Sequence, residues 1–157
     1  MSSSADLGVD SPVAGVAVVE VRRPPNNFFD PDLIEAIATA AHALDSDGRT
    51  RAIVLAAQGK NFCAGADFAG TSGAGEVSPD EGARRLYAAG ARLFEVGLPM
   101  VAAVQGAAIG GGFGLALAAD FRVAGPGSRF AANFARLGLH HGFGMTVTLP
   151  RVVGPQY

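Results

Sequence analysis

The apolar positions of this chain switch between strand-like and helix-like spacing. Val16-Ala17-Val18-Val19-Glu20-Val21 is a β-branched run that reads as a strand, ended by Arg22-Arg23-Pro24-Pro25-Asn26-Asn27. Asp30-Pro31 then opens a helix, because Asp accepts from free backbone N–H groups and Pro suits the first helical position. Ile34, Ile37, Ala38, Ala41 and Leu44 follow at helical spacing, and Asp47-Gly48 closes the segment. Ala52-Ile53-Val54-Leu55-Ala56-Ala57 is apolar at every position, as an interior strand covered on both faces must be. A Gly- and Ala-rich loop runs from Gln58 to Gly75, and Ser78-Pro79-Asp80-Glu81 forms a capping box for a second helix, with Leu86, Leu93 and Phe94 on its apolar face.

The same alternation continues to the end. Pro99-Met100-Val101-Ala102-Ala103-Val104 is a second covered strand, Gly106 to Gly114 a glycine-dense turn, and Leu115 to Ala119 a short buried helix. Phe121-Arg122-Val123 reads as a third interior strand, and Ser128-Arg129-Phe130 starts another short one. Alternating strands and helices define an α/β chain. Residues 1–14 are polar, which assigns a flexible tail to 1–12 and the folded core to 13–157.

Composition narrows the class. A chain of 157 residues, 49% hydrophobic and 17% charged, is long enough for one domain with a real core and has the opposite balance to a disordered chain. A net charge of −2 lacks the clustered positive field of a nucleic-acid surface. The lone cysteine, Cys63, excludes an internal disulfide and a cysteine metal cluster, and suits a reducing, cytoplasmic setting. No apolar run reaches the ~18–20 residues of a membrane span, and the N-terminus lacks the features of a secretory signal, so no membrane association is expected.

Two loops carry candidate chemistry. Asn61-Phe62-Cys63-Ala64-Gly65-Ala66-Asp67-Phe68 follows a buried strand, and Val104-Gln105-Gly106-Ala107-Ala108-Ile109-Gly110-Gly111-Gly112-Phe113-Gly114 runs from a buried strand into a helix. The second presents free backbone N–H groups at the positive end of a helix dipole, which suits an anion, including a transient one. Other glycine-loop chemistries fit less well. A G-x-G-x-x-G pattern begun at Gly110 or Gly112 meets Leu115 or Leu117 where its third glycine belongs, and no Lys follows these glycines as a P-loop requires. No G-x-S-x-G elbow is present, and His42, His140 and His141 lack zinc-ligand spacing, so no metal site is expected.

Phe62-Cys63-Ala64-Gly65-Ala66-Asp67 resembles the F-[SC]-A-G-A-D loop of the enoyl-CoA hydratase/isomerase (crotonase) superfamily. Gly106 to Gly112 is similar to that family's G-x-A-x-G-G-G turn, Leu115 to Asp120 to its L-A-x-x-x-D helix, Leu137-Gly138-Leu139 to its LG-[IL] step, and Leu149 to Gly154 to its LPR-x-VG segment. The resemblance implies a spiral of ββα repeats, a CoA thioester as substrate with no separate cofactor, and assembly into a trimer or hexamer. It implies that the backbone N–H groups of Ala66 and Gly111 hold the thioester oxygen as it becomes an enolate. One well-placed donor of this kind is worth about 2.7–4 kcal/mol. Ala64, Gly65, Asp67, Gly110, Gly114 and Phe134 are expected beside the bound acyl-CoA on the same ground.

This sequence departs from the family in two ways. The two glutamates on which hydration relies fall at Gly114 and Phe134, and general acid–base groups contribute about 10²–10⁴-fold each. Ordinary hydration is therefore not expected. His140 and His141 are the candidate replacements, because histidine exchanges protons near neutral pH; the alternative is that both pack at the pocket rim. Asp67 is either a base or a cap, Asp120 a structural acceptor, and Cys63 a small buried residue. Arg22 and Arg23 are either CoA-phosphate contacts or a solvated strand end. The second departure is that family members run on beyond this sequence into a helical C-terminal region, so the core is expected without it.

Overall fold

The computed structural model describes residues 5–67 and 79–156. Strands β1 (Leu7–Val13), β2 (Val16–Val21), β3 (Ala52–Ala57), β4 (Met100–Val104) and β6 (Phe121–Ala124) form one sheet in the order β1-β2-β3-β4-β6. The β1–β2 hairpin is antiparallel and the remaining pairs are parallel. Parallel neighbours need crossovers, and helices α1 (Pro31–Asp45) and α2 (Pro79–Leu93) supply the first two. A second, two-stranded parallel sheet joins β5 (Ala107–Ile109) to β7 (Arg129–Ala131). Helix α3 (Gly111–Ala118), a 3₁₀ turn at Asn133–Leu137, and helix α4 (Met145–Val153) complete the described chain.

Local chemistry explains the first crossover. Asp30 Oδ1 accepts from the Leu33 N–H at 2.8 Å and Pro31 sits in the first turn, so α1 begins where the Asp-Pro pair points. Leu33, Ile34, Ile37, Ala38, Ala41 and Leu44 are buried along one stripe of α1. They meet the inward face of the sheet, where Ala17, Val19, Val21, Ile53 and Leu55 alternate with less buried neighbours. Burying an aliphatic side chain of this size stabilises the fold by about 1.5–3 kcal/mol. Arg85 ties α2 to α1 through Asp32 at 2.7 Å and Glu35 at 2.9 Å.

Four sequence expectations are corrected. The tail assigned to residues 1–12 is a strand from Leu7 onward, because Leu7 to Val13 pair with β2 despite their polar composition. The strand at Phe121–Ala124 is parallel to β4 but stands at the edge of the described sheet. Its Phe121 and Val123 are 64% and 65% exposed, so its apolar run does not reflect interior burial. The glycine-dense segment from Gly106 to Gly114 is not one turn; it contains β5 and the first half of α3. Phe94 falls beyond the end of α2 and is exposed rather than part of its buried face. The capping-box Ser78, together with Phe68 and Glu76, lies outside the described residues.

Candidate active site

The two loops singled out by sequence are built against one another. Phe62 N donates to Gln105 O at 2.8 Å, Cys63 N to Ala107 O at 3.0 Å, and Ile109 N to Cys63 O at 3.0 Å, so the first loop lies beside β5 as a further parallel segment. A Cβ on Gly112 would collide with the Cys63 carbonyl, so only glycine lets α3 start this close. Gly65 has φ +107°, and a Cβ there would sit 3.1 Å from the Ile109 oxygen and 3.9 Å from the Gly111 nitrogen. The first loop and the start of α3 are thus in direct contact at the positions from which the candidate donors project.

The segment after β2 fixes the first loop from its other side. Ala64 N donates to Asn26 O at 2.9 Å, Phe29 N to Gly65 O at 3.0 Å, and Asp67 N to Phe29 O at 2.9 Å. In this parallel bridge Gly65 and Asp67 turn their backbone groups toward Phe29, which leaves the N–H of Ala66 pointing the opposite way. Among the described residues no protein group accepts from the N–H of Ala66 or from that of Gly111. Gly111 is the first residue of α3, where a helix leaves its N–H groups without intrahelical partners.

Both N–H groups belong to residues lining one cavity of about 590 Å³. Ala64, Gly65, Gly110, Phe134 and His140, named as candidates from the sequence, also line it. Three of the candidate residues are not on this wall. Gly114 is buried beneath Phe143, whose Cβ would stand 2.6 Å from a Cβ at position 114, so any side chain there would have to displace Phe143. Asp67 is absent from the cavity wall, its N–H being taken by Phe29. His141 is also absent from the wall; its ring packs on Phe134 with centroids 5.8 Å apart and on His140 at 5.9 Å.

His140 is differently placed. Its Nδ1 lies 2.9 Å from the backbone carbonyl of His141. A carbonyl only accepts, so the neutral ring keeps its proton on Nδ1 and presents Nε2 as the basic atom. Of the described residues lining the cavity, only His140 and Tyr87 carry a transferable side-chain proton. The rest of the wall is largely hydrocarbon and backbone, with Phe28, Phe29, Leu86, Phe134, Leu137 and Phe143 prominent.

The remaining candidates are structural. Cys63 is buried, and desolvation pushes its thiol up to about 12, which keeps it protonated and inert. Asp120 Oδ2 accepts from Met100 N at 2.8 Å, the acceptor role expected of it. Arg23 binds Asp30 at 2.7 Å and Asp6 at 2.9 Å, while Arg22 binds Glu20 at 2.8 Å.

Sequence reasoning missed Asn27, which is 1% exposed and whose carboxamide donates to Gln58 O at 2.8 Å and Asn61 O at 2.6 Å. It also missed Tyr87, Asn133 and Phe143 on the cavity wall. Two asparagines after a Pro-Pro pair were a usable signal for a side-chain staple. Nothing local marked the other three, which reach the cavity only through tertiary packing.

This α/β core, with its two glycine loops packed against one another, has the crotonase fold, a spiral of ββα repeats, and solved structures of that fold superpose on it. DspI of Pseudomonas aeruginosa does so with a TM-score of 0.87 at 30% identity, over 99% of this chain and 60% of its own. An enoyl-CoA hydratase from Bacillus anthracis does so with a TM-score of 0.84 at 28% identity, over 95% of this chain and 58% of its own.

Residues 12–157 match the enoyl-CoA hydratase/isomerase family, and the chain belongs to that family. A probable enoyl-CoA hydratase, EchA14 of Mycobacterium tuberculosis strain H37Rv, is 42% identical over 151 residues, covering 96% of this chain and 58% of the relative. The crotonyl-CoA hydratase of Syntrophomonas wolfei is 35% identical over 146 residues, covering 89% of this chain and 55% of the relative. The chain thus spans little more than half the length of the curated relatives it matches.

Proposed function

We propose that the protein acts on an acyl-CoA thioester by stabilising its enolate, with Ala66 and Gly111 N–H as the oxyanion donors and His140 Nε2 as the proton acceptor. The observation that carries this reading is the pair of unclaimed N–H groups on one cavity, set by backbone alone. Donors fixed before reaction need no reorganisation as charge develops on the thioester oxygen, which is why such sites lower barriers effectively. His140 would remove a proton from the carbon next to the thioester. The electron pair would move onto the oxygen between the two N–H groups, and the proton would return from the same imidazolium.

Coenzyme A enters as part of the substrate, and no further cofactor is invoked. The family resemblance favours a homotrimer or hexamer, and the lone cysteine suits a cytoplasmic setting. Ordinary hydration is not proposed. Gly114 and Phe134 supply no carboxylate, and Phe143 fills the space above Gly114. The same feature supports a second reading, that of a catalytically depleted acyl-CoA-binding paralogue or partner subunit.

One experiment separates the two. Butyryl-CoA is incubated with the protein in D2O and its mass followed, with crotonyl-CoA run in parallel. Deuterium entering beside the thioester, and lost in His140→Gln and Gly111→Pro, is the expected result. Binding without exchange selects the depleted paralogue. Rapid formation of 3-hydroxybutyryl-CoA from crotonyl-CoA would overturn the argument against hydration.

A further inference from the structure

Two neutral polar residues on the cavity wall, Asn133 and Tyr87, are not used by the enolate chemistry, and Asn133 is the less exposed of the two. Asn133 opens the 3₁₀ turn at Asn133–Leu137 and lines the cavity. Its Oδ1 would stand 2.9 Å from a Cβ on Gly110, one residue before the Gly111 donor. The turn is held there by Gly110 N, which donates to Ala131 O at 2.8 Å. Among the described residues no group bonds to the Asn133 carboxamide, and the residue is only partly exposed.

The surroundings make that group consequential. Phe134 follows it, with ring atom Cζ 4.0 Å from the same notional Gly110 Cβ, and the cavity is otherwise walled mainly by Phe and Leu side chains and loop backbone. The other polar groups on this wall differ from it. Tyr87 is more than half exposed and keeps its water, and His140 already spends Nδ1 on the His141 carbonyl. A plain hydrocarbon chain entering the cavity would strip water from the carboxamide and return nothing. An acyl chain bearing an oxygen would restore the lost hydrogen bond, since a carboxamide both donates and accepts.

We infer that Asn133 is a specificity residue that selects acyl-CoA substrates carrying a neutral oxygen substituent, hydroxyl or keto, a short distance along the chain from the thioester. This rests on the acyl-CoA reading above. Sites built to bond a substrate oxygen reject the analogue lacking it far more strongly than apolar pockets reject an extra methylene.

The test is calorimetric binding of butyryl-CoA and 3-hydroxybutyryl-CoA to the wild type, to Asn133→Leu and to Asn133→Ala, with the fold of each variant checked by thermal unfolding. The wild type is expected to bind the hydroxylated ligand at least about tenfold more tightly, which is about 1.4 kcal/mol. Either folded variant is expected to bring the two affinities together. Equal affinities in the wild type would overturn the inference while leaving the acyl-CoA reading in place. A preference that survives both substitutions would remove Asn133 from the role. Failure of both ligands to bind the wild type would overturn the acyl-CoA reading itself.

Discussion

Gly114 and Phe143 share one space, and exchanging their sizes tests whether that sharing is real. A Cβ at position 114 would stand 2.6 Å from Phe143 Cβ and 3.2 Å from the Phe143 carbonyl oxygen, distances at which something must move. Overpacking of this kind costs about 1–3 kcal/mol, so Gly114→Ala should be destabilised by that amount. In a chain of this size the melting temperature falls by about 2–4 °C per kcal/mol.

Phe143→Gly removes a buried ring and should cost about 3–5 kcal/mol by the usual cavity argument. Part of this is offset, because Phe143 holds φ at +54°, a backbone conformation that strains a non-glycine residue by of order 1 kcal/mol. Gly114→Ala creates the clash and Phe143→Gly removes the atom it is made against. The double variant should therefore lose less than the sum of the singles, by about 0.5–3 kcal/mol. Urea unfolding of the four proteins, with slopes compared as well as midpoints, reads this coupling directly. Additivity within about 0.5 kcal/mol would refute the shared-space argument. It would also refute the corollary that a glutamate grafted at position 114 must displace Phe143.

Three further outcomes follow from the geometry. Gly65→Ala places a Cβ 3.1 Å from the Ile109 oxygen at φ +107°, a strain of order 1–3 kcal/mol that displaces the Ala66 N–H; it should weaken acyl-CoA binding or exchange more than it lowers the melting temperature, and the reverse order would argue against the donor role. Asn27→Ala removes two bonds from a buried carboxamide to the carbonyls of Gln58 and Asn61, each worth about 0.5–1.5 kcal/mol; its urea midpoint should fall, and a near-native midpoint would contradict the staple. Cys63 should resist thiol reagents at pH 8 until the protein unfolds. Its thiol ionises near 9.0 when free and at about 12 when folded, so ionisation favours the unfolded chain. Cys63→Ala should therefore lose stability less steeply than wild type as the pH rises past 9.0, and identical slopes would refute the burial argument.

What could be read from sequence follows from how local each signal is. Asp30-Pro31 and the Ile34–Leu44 stripe fixed α1 because capping and periodicity act within a few residues. The two glycine loops were legible because close backbone approach leaves glycine as the only solution, as at Gly112 against the Cys63 carbonyl. β1 was hidden because its Asp10, Ser11 and Pro12 are polar or turn-forming, and it owes its strand conformation to pairing with β2. Phe121 and Val123 misled in the other direction, because an edge strand exposes residues that look interior. At the site, the family resemblance implied the loss of the two carboxylates at Gly114 and Phe134. That Gly114 is sealed beneath Phe143 depends on a contact between residues far apart in the chain.

The two proposed donors are main-chain atoms, held by a ladder that joins Phe29, Ala66, Cys63 and Ala108. Side-chain replacement leaves such a group in place unless the newcomer is proline or distorts the backbone. Anion recognition can therefore outlast drift in the surrounding wall, while a side-chain proton carrier such as the one proposed at position 140 is erased by a single codon change. A fold arranged in this way conserves its grip on the substrate class while its reaction remains open to revision.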